Sequence, residues 1–224
     1  MPTDYNATYE VERLQIFQSC IGRIPSSARS VLELGCHTGA TTERLAARFE
    51  RVVAVDVDPD RVAAARARPG LERVEWLLHD LDRPLPAAFD RGFDVVVACE
   101  VLEHLRSPAD FLAGVHRALA PAGVLLVSTP NLLSAEAVVG WLWAWREGKP
   151  YEAWDPSHVT LFTSPELLAL LRRQGFSPTN VTGYHYGTPV VPLIKKALRP
   201  RLTATSRWPL NRLGFDVIVE AVAA

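Results

Sequence analysis

The sequence predicts an α/β protein in which a mostly parallel sheet carries helices on both faces. Two observations predict it. From residue 31 onward, strand-like and helix-like segments alternate with short turns, the order that builds a parallel sheet through crossover helices. The strand-like segments are nearly unbroken in Val, Leu and Ala, as strands covered on both faces require; a strand with one wet face would alternate. A chain of 224 residues, 48% hydrophobic and 22% charged, can bury a sizeable core, so residues 1–224 are expected to form one domain.

In order, strands are expected at Val31–Leu34, Arg51–Val55, Val74–Leu78, Phe93–Ala98 and Val124–Ser128. Helices are expected between them at Ala40–Phe49, Asp60–Ala67 and Pro108–Leu119. In the last of these Phe111, Leu112, Val115 and Leu119 recur at helical spacing, behind Ser107 as N-cap and Pro108 at the first position. Helices at Ser134–Trp145 and Ser164–Gln174 follow, the second opened by Pro165 and stopped by Gly175. Strands at Ser177–Tyr184 and Phe215–Ala221 close the chain. Residues 188–214 differ in kind: Lys195, Lys196, Arg199, Arg201, Arg207 and Arg212 occur with no acid among them, punctuated by prolines. They are expected to form a basic insertion at the sheet edge, partly helical around Val191–Leu198, and either a solvated loop or a contact for anionic membrane or substrate.

A formal charge of -1 gives no global attraction to nucleic acid, which is not an expected partner. Three cysteines, Cys20, Cys36 and Cys99, without a CxxC pair argue against a disulfide framework or a cysteine zinc site. No signal-type apolar segment opens the chain, and the longest membrane-like run, 137–145, is too short for a bilayer of about 30 Å. The expected location is cytoplasmic.

The chemistry gathers at strand ends. Val31-Leu32-Glu33-Leu34-Gly35-Cys36-His37-Thr38-Gly39 runs from strand through loop into helix, and its glycines let backbone turn tightly beside a ligand. Asp56 ends the second strand, 17 positions after Gly39, where a carboxylate can accept from both hydroxyls of a ribose. Asp80, in His79-Asp80-Leu81, ends the third. Three strand ends in register point to a nucleoside site on the carboxyl rim of the sheet. A helix cap through Asp58-Pro59 and a turn at Asp80 are the purely structural alternatives.

Residues 28–130 resemble a class I S-adenosylmethionine-dependent methyltransferase. VLELGCHTG is similar to that family's first motif, VVAVDVDPD to its ribose-binding segment, HDL to its adenine-contacting acid, and FDVVVACEVLEHL and ALAPAGVLLVSTPN to its fourth-strand motif and the turn and strand after it. The resemblance implies a Rossmann-like, seven-stranded, mostly parallel sheet with an antiparallel last strand, and S-adenosylmethionine as cofactor. It further implies that Glu33, Gly35, Cys36, His37 and Gly39 face the methionine end, Asp56 the ribose, Val57 the adenine face, and Asp80 with Leu81 the adenine edge; Cys99 joins this set at the end of the fourth strand. His37 departs from the pattern, standing where the family most often has glycine. The spacing Gly35-x-x-x-Gly39 separates the chain from nicotinamide dehydrogenases with GxGxxG.

Past the fourth strand, Cys99-Glu100-Val101-Leu102-Glu103-His104-Leu105 holds two carboxylates and an imidazole. If the chain turns helical there, Glu100, Glu103 and His104 share a face, and His158 in the polar loop 155–163 can complete the set. Such donors suit Mg or Mn; equally, His104 or His158 can act as general base for a hydroxyl, or the cluster can be structural. Two methyltransferase groups share this arrangement by resemblance, the ubiquinone-biosynthesis O-methyltransferases and the small-RNA 2'-O-methyltransferases. The first covers more of the chain, and by carry-over Glu100, Glu103, His104 and His158 would hold the ion.

Trp141, Trp143, Trp145, Tyr151 and Trp154 form an aromatic element within 134–163, readable as core, as a lid over an aromatic or sugar acceptor, or as an interfacial anchor. The leading expectation is methyl transfer to a hydroxyl of a small phenol, catechol or sugar. An RNA terminal-ribose 2'-O-methyltransferase, an N-methyltransferase on an amino sugar, and a non-catalytic cofactor-binding protein are the alternatives.

Overall fold

The computed structural model describes residues 17–148, 157–186, 202–208 and 210–224. Residues 17–21 are helical and lead to β1 (Ser30–Leu34), α1 (Ala40–Arg48), β2 (Arg51–Asp56), α2 (Pro59–Arg66) and β3 (Glu75–Leu78). The chain then returns through β4 (Phe93–Cys99), α3 (Pro108–Ala118), β5 (Leu119–Pro130), α4 (Ala135–Arg146) and α5 (Ser164–Arg173), and ends in β6 (Phe176–Tyr186), β7 (Leu202–Thr205) and β8 (Asp216–Ala223). The sheet order is β3-β2-β1-β4-β5-β8-β6-β7. β3, β2, β1, β4 and β5 pair in parallel, whereas β8 runs antiparallel between β5 and β6.

This is the expected Rossmann-like sheet with one addition. The strand β7 falls inside the stretch read as an edge insertion and pairs antiparallel with β6, so the sheet has eight strands rather than seven. Its sequence, Leu-Thr-Ala-Thr, is too short and too mixed to register as a strand until β6 offers it an open edge. The helix expected around Val191–Leu198 lies outside the described residues.

The pleat divides the core into two apolar layers. From β2, Val53 and Val55 join one layer with Phe93, Leu112, Val115, Leu167 and Leu171 of β4, α3 and α5. Val52 and Ala54 join the other with Phe17, Ile21, Leu45 and Phe49. Each fully buried aliphatic or aromatic side chain contributes about 1.5–3 kcal/mol. Helix starts are fixed locally: the Asp58 carboxylate accepts the Asp60 and Arg61 amides, and Thr163 forms a capping box with Glu166, caps of about 0.5–2 kcal/mol each. Ser107 precedes α3 as expected but makes no side-chain cap bond.

The order reverses between β1 and β4: β2 and β3 lie on one side of β1, and the chain returns to place β4 on the other. β1 and β4 therefore flank the switch point, where open α/β sheets form a ligand crevice at the carboxyl rim.

Candidate active site

The loop after β1 is held by backbone bonds to β2. The Gly35 and Cys36 amides donate to the Val55 carbonyl at 2.8 and 3.0 Å. Gly35 has φ +78°, and a Cβ there would meet Val101 Cγ2 at 2.5 Å, so only glycine lets the loop lie against the β4 turn. His37 also sits in the left-handed region, at φ +48°; its amide donates to Asp56 Oδ2 at 2.8 Å. The Asp58 amide donates to the other oxygen at 3.0 Å, so Asp56, buried at the β2 terminus, is oriented by backbone on both sides.

Glu33 is buried one residue before the end of β1, and the Thr42 hydroxyl of α1 donates to its carboxylate at 2.6 Å. Burial, with the nearby Asp56 charge adding, pushes the Glu33 carboxyl up to about 8. Asp80 is exposed at the rim beyond β3, accepting the Asp82 amide and 3.6 Å from Arg83. Val57 and Leu78 expose apolar surface at the ends of β2 and β3, the kind of flat patch on which a purine ring stacks. Leu81 packs partly into the core.

The second wall is the turn after β4. Glu100 adopts φ +55°, its amide donating to the Ser128 carbonyl and its Oε1 accepting from the Ser128 hydroxyl at 2.5 Å. Residues Leu102–His104 then form a 3₁₀ turn, not an α-helix, which sends Glu103 inward and His104 outward. The Glu103 side chain is fully buried. Its Oε2 accepts from Thr129 at 3.0 Å, while among the described residues Oε1 has no hydrogen-bond partner. Burial first, then the Glu100 and Asp216 charges, push the Glu103 carboxyl up to about 9.

The Glu103 carbonyl also accepts the Val159 and Thr160 amides at 2.8 and 3.0 Å, and the Thr160 hydroxyl donates to Leu105. These bonds strap the 157–160 loop onto the turn. His158 thereby lies edge-on to His104, ring centroids 4.8 Å apart, and His104 Nδ1 is 3.1–3.2 Å from the Ser157 hydroxyl and carbonyl. One ligand atom from each of Glu103, His104 and His158 lies within 4.8 Å of the others. Three of the four residues expected to cluster do so; Glu100 lies outside this group, turned to Ser128 by its left-handed backbone. Cys99 is half-buried beside the second core layer.

Trp141 and Trp145 are exposed, which removes the core reading for these two; Tyr151 and Trp154 lie outside the described residues. Several partners escaped the sequence: Thr42, Ser128, Thr129 and Ser157 are hydroxyl residues with no distinctive spacing, set opposite the acids only by sheet register and loop folding. His79, beside Asp80, has a buried Nε2 with no hydrogen-bond partner among the described residues; its place in HDL was the available signal.

A glycine loop at the switch point, an oriented acid at the end of β2 and an antiparallel β8 beside β5 define a methyltransferase domain of the class I type. The chain belongs to the methyltransferase-domain family, whose model matches residues 8–181. It is 33% identical over 180 residues to a Mycolicibacterium smegmatis protein named as an S-adenosylmethionine-dependent methyltransferase, covering 80% of this chain and 62% of that one. For a Mycobacterium tuberculosis relative of the same description the covered share is 53% of the relative, so the chain spans little more than half the length of these proteins. A ubiquinone biosynthesis O-methyltransferase of Xylella fastidiosa is 29% identical, with 89% of this chain and 78% of that one covered. Among solved structures, a Thermotoga maritima S-adenosylmethionine-dependent methyltransferase superposes at TM-score 0.68 over 99% and 95% of the two chains at 19% identity. An N-methyltransferase of Bradyrhizobium japonicum bound to S-adenosyl-L-homocysteine superposes at 0.60 over 93% and 86%, at 18% identity.

Proposed function

We propose that this protein is an S-adenosylmethionine-dependent methyltransferase that acts on a hydroxyl of a small phenol, catechol or sugar. The observation that carries the reading is the convergence of Glu103, His104 and His158 beside the donor rim, with a buried Glu103 oxygen that has no hydrogen-bond partner among the described residues. Methyl transfer from a sulfonium is an in-line displacement, so the protein must align the acceptor and remove its proton. A neutral amine needs little help; a hydroxyl needs a base or a metal that lowers its pKa.

The donor set fits a divalent ion: one carboxylate oxygen with no hydrogen-bond partner among the described residues and two imidazoles on facing segments, a mix that suits Mg or Mn less well than an all-oxygen set but leaves positions for substrate oxygens. Glu103, His104 and His158 would hold it, and it would supply Lewis acidity toward the acceptor oxygen. In a metal-free alternative, His104, whose side chain reaches solvent while Ser157 lies against Nδ1, would instead be the base that accepts the hydroxyl proton. On the donor side, Asp56 binds the ribose hydroxyls, Val57 and Leu78 offer apolar contact to the base, and Glu33 faces the methionine ammonium. The ubiquinone-biosynthesis relatives support hydroxyl over amine as acceptor.

The test is a methyl-transfer screen over catechols, phenols, sugar nucleotides, amino sugars and short RNA, each with and without chelator. The expected result is turnover of a phenolic or sugar hydroxyl that falls at least about tenfold on chelation and returns with Mg or Mn. Full activity in chelator overturns the metal assignment; turnover confined to amines or to RNA overturns the acceptor class.

A further inference from the structure

The amino rim of the sheet, opposite the rim that carries the glycine loop, holds a second cleft. β4 separates the two; it is seven residues long, and so roughly 20 Å from end to end. The cleft measures about 510 Å³ and lies among Arg91 ahead of β4, His116 and Arg117 in the last turn of α3, Leu119 and Pro121 at the start of β5, and Ala223 at the end of β8. Small-molecule sites span about 300–1,000 Å³, so the space suits an organic ligand.

The cations of this cleft are not matched by acids. Among the described residues no ion pair joins Arg91 or Arg117, although Asp90 also lines the cleft. The Arg117 guanidinium makes a long bond, 3.4 Å, to the Ala113 carbonyl of its own helix. His116 is clamped in place: its ring lies edge-on to Phe176 with centroids 5.3 Å apart, and a Cβ on Gly175 would come within 3.0 Å of its Nε2. That nitrogen is buried and has no hydrogen-bond partner among the described residues, a cost that a bound polar group would remove.

Backbone strain falls at the same place. Four described non-glycine residues have positive φ: His37 and Glu100 at the carboxyl rim, and Arg91 and Ala122, at +53° and +60°, which both line this cleft. Glycine would hold either turn more easily, and strain of this kind gathers at ligand sites. The Arg91 amide donates to the Arg117 carbonyl at 2.7 Å, so the backbone fixes the two arginines to each other.

We propose that the amino-rim cleft binds a phosphomonoester, its phosphoryl group on Arg91, Arg117 and His116 and its apolar part against Leu119, Pro121 and Ala223. Two guanidinium forks and an imidazole offer more donors than the two oxygens of a carboxylate absorb, whereas a phosphoryl dianion presents three oxygens. Inorganic phosphate alone would leave the aliphatic wall uncovered.

Titration calorimetry of the full chain with phenyl phosphate, inorganic phosphate and benzoate, with S-adenosyl-L-homocysteine saturating the carboxyl rim, tests the assignment. Phenyl phosphate is expected to bind with a Kd of about 1 mM or tighter, at least about tenfold tighter than either of the other two. Arg91→Gly/Arg117→Ala is expected to weaken it at least about tenfold while S-adenosyl-L-homocysteine affinity stays as in the parent. Glycine relieves the positive φ at 91, so Arg91→Gly alone should melt no lower than the parent and yet bind phenyl phosphate more weakly. Arg117→Ala, at an exposed position, supplies a second single variant with the same expected loss. The proposal is overturned if the parent does not bind phenyl phosphate, if variants that retain S-adenosyl-L-homocysteine affinity bind it as tightly as the parent, or if benzoate or inorganic phosphate binds as tightly as phenyl phosphate.

Discussion

Glu33 and Glu103 are acids that the fold keeps protonated near neutrality, because a carboxylate loses more hydration on burial than a single hydroxyl bond returns. The sign of the resulting pH dependence follows. With the folded Glu33 carboxyl raised to about 8 from 4.5, the native state holds a proton that the unfolded chain has released, so stability falls as pH rises through that interval. Glu33→Gln keeps an acceptor for Thr42 and cannot ionise. Its melting temperature at pH 8 is expected to exceed the parent's by several degrees, equivalent to about 1–3 kcal/mol, and to match it near pH 5. Differential scanning fluorimetry across pH 5–9 reads this, and the slope lost in the variant relative to the parent is the share of Glu33. Both acids were visible in the sequence as residues too polar for their surroundings. Their protonation state was not, since it depends on Thr42, Thr129 and Asp216, residues 9 to 113 positions away.

At the scale of elements, the contact between the β1 loop and the β4 turn decides the shape of the crevice. Gly35→Ala would place a methyl group 2.5 Å from Val101 Cγ2 at a positive φ. The expected cost is about 2–4 kcal/mol in chemical denaturation, part backbone strain and part overpacking. Adding Val101→Ala should recover the packing part and leave roughly 1 kcal/mol of strain, a coupling that a double-mutant cycle measures. Strand and helix positions were legible because period and composition are local: β1, β2, β4 and α3 fall within a few residues of their expected bounds. The turn after β4 was not. Spacing alone suggested an α-helical face bearing Glu100, Glu103 and His104, but the left-handed Glu100 backbone, bonded to Ser128, produces a 3₁₀ turn that separates Glu100 from the other two.

For the whole molecule, a net charge of -1 conceals a strongly polarised distribution. The acid-free segment 188–214 predicts that the protein is retained on a cation exchanger at pH 7.5 and low salt despite its sign, and that Lys195→Glu/Lys196→Glu elutes markedly earlier in the gradient. Co-elution of the two proteins in the flow-through would show that the segment does not act as a patch. The sequence by itself determined the sheet's strands, the glycine loop and the acids at the strand ends, because hydrophobic period and turn chemistry are written within about ten residues of each position. Only the tertiary structure decided that the strand order reverses between β1 and β4, that a short eighth strand finds an edge on β6, and that Glu103, His104 and His158 meet while Glu100 does not. Those outcomes depend on contacts between segments up to 64 residues apart in the chain, where register, burial and backbone handedness select among arrangements that local sequence leaves equivalent.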